Sequence, residues 1–392
     1  MLHRRHVATA LALLLVAASS ARVAGAQSAP LEIPVLLPLT GFAAFIGQAQ
    51  VKSLDIIERL VNAKGGIKGR PVKFVVQDTQ TNPAVAVQLA NALLAKKAPL
   101  IFGPGFTSEC FAVAPLIKNA AVEYCLSPAI LPPAGSTIYS AGLDAREYPV
   151  LLLRYFNAKH YTKVALISST DSAGQVFDQY FDQALTRPEF RGLQLVSREH
   201  FGISDLSVNA QISRMKAANP DVAIEWTAGT AFATLLRSTQ EIGLNVPIAG
   251  GTGNTTYEQM KQYAAFLPKT LIFPSTSPVT PGGVGPGPIR DAQTAYFNAF
   301  KAVGLKADFL NSQIWDPAWI VIDAYRALGP DATAAQLQSY IQQLHGWVGI
   351  TGVYDFRDGS QRGVGIGAGV IAQWDAAKGD FVAVSALGGR PK

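Results

Sequence analysis

Apolar segments of strand length alternate with amphipathic segments of helix length along most of the chain. The first apolar segment, Leu31–Leu37, is followed by Val51, Leu54, Ile57 and Val61 at helical spacing. Nearly continuous apolar segments of this length are typical of strands that are buried on both faces of a sheet. We therefore predict an α/β fold with parallel sheets that are covered by helices on both faces.

The alternation occurs twice, which predicts two doubly wound lobes. The first series has strands at 31–37, 72–76, 100–102 and 122–126, with helices between them and a last helix at 108–119. The second series has strands at 164–168, 193–197, 221–225 and 246–249, again with helices between them. A Pro- and Gly-rich segment at 274–288 indicates a loop or a crossing between lobes. Beyond it we predict helices at 289–303, 312–328 and 334–344, and a β region at 352–356 and 363–374.

The first 26 residues resemble a secretory signal peptide. Basic residues at positions 3–6 precede an apolar run at 7–18 and then Ala24-Gly25-Ala26, which fits the small-residue pattern of a cleavage site. The apolar run is too short to span a bilayer. We expect export with cleavage near Ala26, and a retained membrane anchor is the alternative. Because no cysteine follows the run directly, a lipid anchor is not expected.

The composition indicates a folded protein that does not bind nucleic acid. Apolar residues make up 49% of the chain and charged residues 15%, which permits a sizeable core. The formal net charge is +6, and cleavage would remove Arg4, Arg5 and Arg22, which lowers it to about +3. A charge this small, spread over so long a chain, leaves no electrostatic footprint for nucleic acid.

The chain has two cysteines, Cys110 and Cys125. In an exported protein such a pair more often forms a disulfide than a metal site. A bond between them would close a loop of about 15 residues and contribute on the order of 3 kcal/mol. Two buried thiols are the alternative, since spacing alone does not determine the geometry.

The sequence shows no catalytic or metal-binding motif. His160, His200 and His345 are far apart, and no GxSxG, Walker A or strand-linked GxGxxG motif is present. The alternating glycines of 363–369 lie among Val and Ile, so we predict a strand with glycine on one face. We therefore expect a protein that is not an enzyme and that has no cofactor and no metal.

The loops that follow the predicted strands are the expected place for a ligand. In doubly wound sheets, ligands bind outside the carboxyl ends of the strands. Three such loops are 38–47, 103–108 and 127–131. Thr107 and Ser108 begin a predicted helix, where free N–H groups and the helix dipole favour an anion such as a carboxylate. Ser108 could equally be only an N-cap.

Several segments resemble one known family. They are Pro38-Leu39-Thr40-Gly41, residues 62–70 (NAKGGIKGR), Asp78, Gly103-Pro104, Thr107-Ser108, Ser127-Pro128-Ala129, and Gly349-Ile350-Thr351-Gly352 with Phe356 and Gly359. The chain is similar to the substrate-binding proteins of ABC importers for branched-chain amino acids, the Leu/Ile/Val-binding type. The likeness extends over residues 31–386.

The resemblance implies a fold, a mode of action and a location. The family has the type I periplasmic binding fold, with two α/β lobes joined by a three-strand hinge and a ligand cleft between them. By analogy, residues 1–26 are the signal peptide, 27–142 and 275–345 form the first lobe, and 143–274 and 346–392 form the second. The expected partners are a small solute and an ABC permease in the inner membrane, and the expected state is a periplasmic monomer.

The resemblance also predicts ligand-binding residues in both lobes. They are Phe45, Ile46, Thr107, Ser108, Ala129, Ile130, Leu131, Asp171, Ala173, Trp226, Thr227, Ala228 and Thr252. The proposed disulfide between Cys110 and Cys125 would brace the loops that hold a ligand carboxylate.

Four of these positions depart from the family's pattern. The family's threonine two residues beyond the position of Ala129 is Leu131 here, and an aromatic position in the first loop is Ile46. The second lobe has Ala173 where the family has tyrosine. The acid that holds the ligand's ammonium falls on Thr252.

The threonine at position 252 bears on the choice of ligand, because an ammonium buried without a counter-charge is strongly unfavourable. We therefore predict a carboxylate ligand without an α-ammonium, such as an aromatic or short aliphatic acid. Glu225 or Asp171 could replace the missing acid, so a branched-chain or other hydrophobic amino acid remains open. A sensor receptor of the same fold, and an extracytoplasmic hydrolase, are the competing functions.

Overall fold

A computed structural model describes residues 29–118 and 120–392. The predicted signal peptide lies outside the described residues, and so does Asn119, the last residue of the predicted helix 108–119. In the part of the chain that is described, no helix is both long enough and apolar enough to cross a membrane.

The first lobe is built on a five-stranded parallel sheet with strand order β2-β1-β3-β4-β5. Its elements are β1 (Leu31–Leu37), α1 (Ala44–Asn62), β2 (Val72–Asp78), α2 (Pro83–Ala95), β3 (Leu100–Phe102), α3 (Thr107–Ile117), β4 (Val122–Cys125) and β5 (Ile138–Ser140).

The second lobe is built on a seven-stranded sheet with order β14-β13-β10-β9-β8-β6-β7. Its first elements are α4 (Glu147–Ala158), β6 (Lys163–Ser169), α5 (Ser172–Leu185), β7 (Gln194–Phe201), α6 (Asn209–Ala217), β8 (Val222–Trp226), α7 (Thr230–Ile242), β9 (Ile248–Gly250), α8 (Tyr257–Gln262) and β10 (Leu271–Thr276). Strands β6 to β10 are parallel to one another. Each of the two C-terminal strands of this sheet pairs with its neighbour in the antiparallel direction.

The chain then returns to the first lobe before it completes the second sheet. The returning elements are α9 (Pro288–Lys301), α10 (Phe309–Leu328), α11 (Ala334–Gln343), β11 (His345–Val348) and β12 (Val353–Asp355), and the last strands are β13 (Gly369–Asp375) and β14 (Asp380–Ala383). The predicted α/β class with two doubly wound lobes is confirmed.

Local sequence explains where several helices begin and end. Asn82 caps α2 by accepting a hydrogen bond from the Ala84 N–H, and Pro83 occupies the first helical position, as predicted. After α1, Gly66 has φ +71°, and a Cβ there would lie 2.0 Å from the Arg70 carbonyl oxygen. Only glycine fits this turn, which confirms the predicted end of the helix.

The pattern did not predict α4, and the reason is its composition. Tyr148, Phe156 and the residues of 150–153 are all buried, because the helix packs between β10 and the C-terminal segment. Its residues 148–153 are continuously apolar, which hides the helical period over so short a segment.

The C-terminal region differs from the prediction in two ways. The sequence places the return to the second lobe at residue 346, but Ile350, Tyr354 and Phe356 pack into the first core. The return comes about 20 residues later, where Ile371 enters a second-lobe core. Residues 363–368 form a loop with a short 3-10 turn, and the strand begins only at Gly369. A side chain at position 369 would clash with the helix α4, which explains the glycine better than a strand face does.

Candidate functional site

A cavity of about 120 Å³ lies between the lobes. It is bounded by residues that follow β3 and β4 in the first lobe and β6, β8 and β9 in the second. The carboxyl ends of these parallel strands face the cleft from both sides, so the cavity lies where a doubly wound sheet is expected to bind a ligand.

Eight of the thirteen predicted ligand-binding residues line this cavity. They are Ile46, Thr107, Ala129, Ala173, Trp226, Thr227, Ala228 and Thr252. They come from α1, from the starts of α3 and α5, and from the loops after β4, β8 and β9. Their role as ligand contacts stays a prediction.

Two of the other predicted residues have structural roles that turn them away from the cavity. Asp171 caps α5, because its carboxylate accepts hydrogen bonds from the Gly174 N–H at 3.0 Å and from the Ser169 hydroxyl at 2.8 Å. The ring of Phe45 packs beside Gly229 and lines a separate pocket between the lobes.

The remaining three lie beside the cavity without lining it. Ser108 is half-buried on the first turn of α3. Ile130 packs against Cys110 and Cys125. The side chain of Leu131 is 39% exposed. Alternate residues of a loop face different directions, so a loop assignment could not separate these residues from Ala129.

Two hydroxyl groups lie together in the first-lobe wall, whose polar residues also include Gln313. Thr107 Oγ1 lies 2.9 Å from Ser127 Oγ, and the Ala129 N–H donates to Ser127 Oγ at 3.3 Å. The first N–H groups of any helix have no intrahelical partner. In α3 the preceding residue, Phe106, has no side-chain group that could accept a hydrogen bond from them. Hydroxyls, free N–H groups and the positive end of a helix dipole together favour an anion.

A second helix begins at the cavity from the opposite lobe. Ala173, in the first turn of α5, lines the wall. Its N–H also lies among the first four of a helix, which lack intrahelical partners. The Asp171 carboxylate already caps this helix, so α5 attracts an anion less than the uncapped α3 does.

Aromatic rings form much of the second-lobe wall, which also includes the buried hydroxyls of Thr227 and Thr252. The rings of Trp226 and Phe177 are stacked, with centroids 3.7 Å apart and planes 12° apart. The Tyr148 ring lies 6.2 Å from Trp226 and is buried. Of the three rings, only Trp226 is among the predicted ligand-binding residues. Tyr148 lies on a helix that the pattern did not predict, and Phe177 lies on a predicted helix whose inward face the pattern does not identify.

Among the described residues, no charged side chain lines the cavity. Glu225 is adjacent to Trp226 on β8, so its side chain points to the other face of the sheet. There it accepts a hydrogen bond from the Thr239 hydroxyl, and burial raises its pKa to about 7. With Asp171 occupied as a helix cap, neither acid supplies the counter-charge that an ammonium would need.

The raised pKa of Glu225 predicts a pH effect on stability. The unfolded chain loses this proton near its ordinary pKa of 4.5, whereas the folded protein holds it to about 7. Stability therefore falls as pH rises from about 4.5 to 7, by on the order of a few kcal/mol for one such group. Glu225→Gln removes the titration, so its denaturation midpoint should exceed that of the wild type at pH 8 and match it near pH 4.5.

The exposed Glu32 offers a matched control, and Glu32→Gln should leave the pH dependence of the denaturation midpoint unchanged. Burial also raises the pKa values of Glu109 and Glu147 to about 7, so the Glu225 variant should keep part of the slope. A slope equal to that of the wild type would contradict the assignment.

The predicted disulfide is confirmed. Cys110 and Cys125 are bonded, with their Cα atoms 6.0 Å apart. The bond joins α3, three residues beyond Thr107, to the end of β4, two residues before Ser127. It therefore ties together the two segments that carry the hydroxyl pair.

His200 lies near an acid and a hydroxyl, but in an order that does not fit a catalytic triad. His200 lies 2.7 Å from the Asp178 carboxylate, and the Ser168 hydroxyl donates to the other oxygen of the same carboxylate at 2.8 Å. The acid thus separates the serine from the histidine, whereas a nucleophile must contact its base directly. In residues 29–118 and 120–392, no cluster of three His, Cys, Asp or Glu side chains is placed to hold a metal.

Curated relatives share part of the sequence. The chain is 24% identical to "Leu/Ile/Val-binding protein homolog 3" of Brucella melitensis over 60% of this chain and 65% of the relative. It is 24% identical to the "Leucine-, isoleucine-, valine-, threonine-, and alanine-binding protein" of Pseudomonas aeruginosa over 57% of this chain and 61% of the relative. The chain thus spans less than two thirds of the length of these relatives.

Solved structures share the fold over a larger part of the chain. An extracellular ligand-binding receptor from Rhodopseudomonas palustris HaA2 has a TM-score of 0.80 at 20% identity and covers 90% of this chain and 99% of its own. An R. palustris solute-binding protein in complex with benzoate has a TM-score of 0.77 at 16% identity, with coverages of 92% and 96%. LivJ of Streptococcus pneumoniae in complex with isoleucine has a TM-score of 0.76 at 17% identity, with coverages of 91% and 99%.

The match to a protein family spans nearly the whole described region. Residues 30–380 match the family described as "Periplasmic binding protein". The first sheet, all but the last strand of the second sheet, and both walls of the cavity lie within these residues. The chain therefore belongs to the periplasmic binding protein family.

Proposed function

We propose that the protein is a periplasmic solute-binding receptor of an ABC importer. It captures a small carboxylate-bearing solute with an apolar body by closing its two lobes around it, and no bond is made or broken. Membership of the family supports this role, and so does a cavity between the lobes with an anion-favouring wall and an aromatic wall.

The carboxylate of the solute is proposed to bind the first lobe. Thr107 and Ser127 present a hydroxyl pair, and the Ala129 N–H lies beside it. Hydrogen bonds between neutral donors and a carboxylate are short and strong, and α3 adds its dipole. No cationic side chain among the described residues is needed at this wall.

The choice of ligand rests on one observation, that no charged side chain of the described residues lines the cavity. An α-ammonium in this cavity would lose its hydration and find no carboxylate in exchange, which is strongly unfavourable. A planar acid would instead place its ring against Trp226. The benzoate complex of a structurally similar protein supports this ligand class, and the isoleucine complex of another keeps an amino acid as the alternative.

Closure is proposed to depend on contacts from both lobes. Phe106 and Leu310 of the first lobe pack in one core with Phe232 and Phe273 of the second, so the lobes are in contact in this structure. A solute that touches both walls binds the closed state more tightly than the open state. It therefore shifts the population toward closure, and the closed form is the one offered to the permease.

A thermal-shift panel on refolded, ligand-free protein tests the proposal. The panel contains benzoate, phenylacetate, isovalerate, leucine, isoleucine and phenylalanine, with benzamide as the uncharged control. A ligand present at about 100 times its Kd adds about 2.7 kcal/mol to stability, which is easily measured. We expect strong stabilisation by one or more of the acids, weaker but measurable stabilisation by benzamide, which keeps the ring without the charge, and none by the amino acids.

Binding of amino acids alone would contradict this expectation. Tight binding of leucine or isoleucine, with no response to any simple acid, would show that an ammonium is accepted. The proposed ligand class would then be wrong, while the receptor role would stand.

A further inference from the structure

Arg362 is a buried arginine that lies behind the first-lobe wall of the cavity. Its side chain is 3% exposed, and it lies on the segment that leads from the first lobe back to the second. Such a burial is unusual for arginine unless its donors are satisfied. In this protein the donors are satisfied by backbone carbonyls rather than by a bidentate carboxylate.

Two of these carbonyls belong to the loop that carries the cavity wall. Arg362 Nη2 donates to the Pro128 carbonyl at 2.8 Å and also to the Ile130 carbonyl. The Ala145 N–H adds a second hydrogen bond to the Pro128 carbonyl at 3.2 Å. The carbonyl oxygens of this loop therefore face the guanidinium.

The orientation of the carbonyls determines that of the neighbouring N–H groups. The peptide bond between Pro128 and Ala129 is trans, so its N–H points away from its carbonyl oxygen. With the carbonyl held by Arg362, the Ala129 N–H points to the Ser127 hydroxyl, which in turn lies beside Thr107. A continuous chain of polar groups thus runs from the guanidinium to the hydroxyl pair.

The same guanidinium also holds the first crossing between the lobes. Arg362 Nη1 donates to the carbonyls of Ala141 and Leu143 at 3.4 and 3.3 Å. Asp144 lies 3.9 Å from Arg362 Nε, but the strong hydrogen bonds of its carboxylate go to Arg146. The charge of Arg362 is therefore balanced in part by Asp144, and it also polarises the peptide groups around it.

We propose that Arg362 is a positioning residue for carboxylate recognition, which acts by fixing the Pro128–Ala129 peptide so that its N–H and the Ser127 hydroxyl favour an anion. The guanidinium does not touch the solute. This role rests on the proposed binding of a carboxylate at the first-lobe wall. It also links that wall to the segment that crosses between the lobes.

The first test compares a charged and an uncharged ligand of the same shape. Benzoate and benzamide are titrated calorimetrically into wild type, Arg362→Gln and Arg362→Lys. We expect the Gln variant to lose about tenfold or more in benzoate affinity, with little change for benzamide. Lysine keeps the charge without the planar fork, so we expect only partial rescue.

Arg154 provides a matched control. It is a part-buried arginine that donates to the Gly388 carbonyl at 3.1 Å, and it does not line the cavity. Arg154→Gln should lower stability without changing the ratio of benzoate to benzamide affinity. Equal losses for both ligands in Arg362→Gln would indicate a merely structural role and overturn the proposal.

The second test needs no ligand. In protein labelled with ¹⁵N-alanine, the Ala129 amide resonance should shift and exchange faster with solvent in both Arg362 variants, while that of Ala165 in β6 stays unchanged. An unaltered Ala129 resonance in a folded Arg362 variant would overturn the proposal. If wild type binds no acid and Ala129 still responds, the proposed ligand fails and the positioning role stands. If Arg362→Gln does not fold, Arg362→Lys provides both readouts.

Discussion

Removal of both hydroxyls from the first-lobe wall is expected to lower the affinity for the tightest acid of the panel by about 100-fold or more. The variant is Thr107→Val with Ser127→Ala, which keeps the shape of the wall. Each hydrogen bond to a charged group contributes about 1.5–3 kcal/mol, and the anion would lose two of them. Isothermal titration at neutral pH measures the loss.

The control for this prediction is another buried serine. Ser238 on α7 accepts a hydrogen bond from the Val208 N–H and lies away from the cavity. Ser238→Ala should leave the affinity unchanged although it also removes a buried hydroxyl. If the double variant binds the acid within about threefold of wild type, the carboxylate does not bind at this wall.

Trp226→Ala is expected to lower acid affinity by about two orders of magnitude. Aromatic side chains dominate burial at binding sites, and the stacked pair with Phe177 would be lost together with the ligand contact. Trp226→Phe keeps a ring and should lose at most about tenfold. The effect should be smaller for isovalerate than for benzoate, because an aliphatic acid gains less from a flat wall.

Trp374 separates a local effect from a general loss of stability. It packs against Phe381 and Tyr257 in the second lobe and does not line the cavity. Trp374→Ala should reduce the denaturation midpoint while the acid binds as before. Similar affinity losses in the two alanine variants would show that Trp226 acts through folding rather than through contact.

Most of the predicted ligand-binding residues that line the cavity were found because they lie in loops that follow predicted strands. Thr107, Ala129 and Thr252 all follow strands, and all line the cavity because the carboxyl ends of parallel strands meet at the cleft. The same reasoning failed for Leu131 and Ile130, since the direction of a loop side chain depends on its neighbours. Glu225 failed as a ligand acid because adjacent strand residues face opposite sides of the sheet.

Residues on helices and on distant segments could not be placed in the same way. Tyr148 lies on α4, which the pattern did not detect, and Phe177 lies on a helix with several possible inward faces. Arg362 is more than 200 residues from the loop that it holds, and no local signal connects the two.

The sequence by itself determined the α/β class, the two lobes and the loops that line much of the cavity, because hydrophobic periodicity and turn residues are local properties. It favoured a disulfide, and the structure shows that Cys110 and Cys125 lie close enough to bond. The tertiary structure alone decided that no charged side chain of the described residues lines the cavity, that the hairpin of β11 and β12 belongs to the first core, and that a buried guanidinium holds the carbonyls beside Ala129. These features depend on which side chains meet across the sheet and between the lobes. Such contacts join residues far apart in the chain, so only the folded chain defines them.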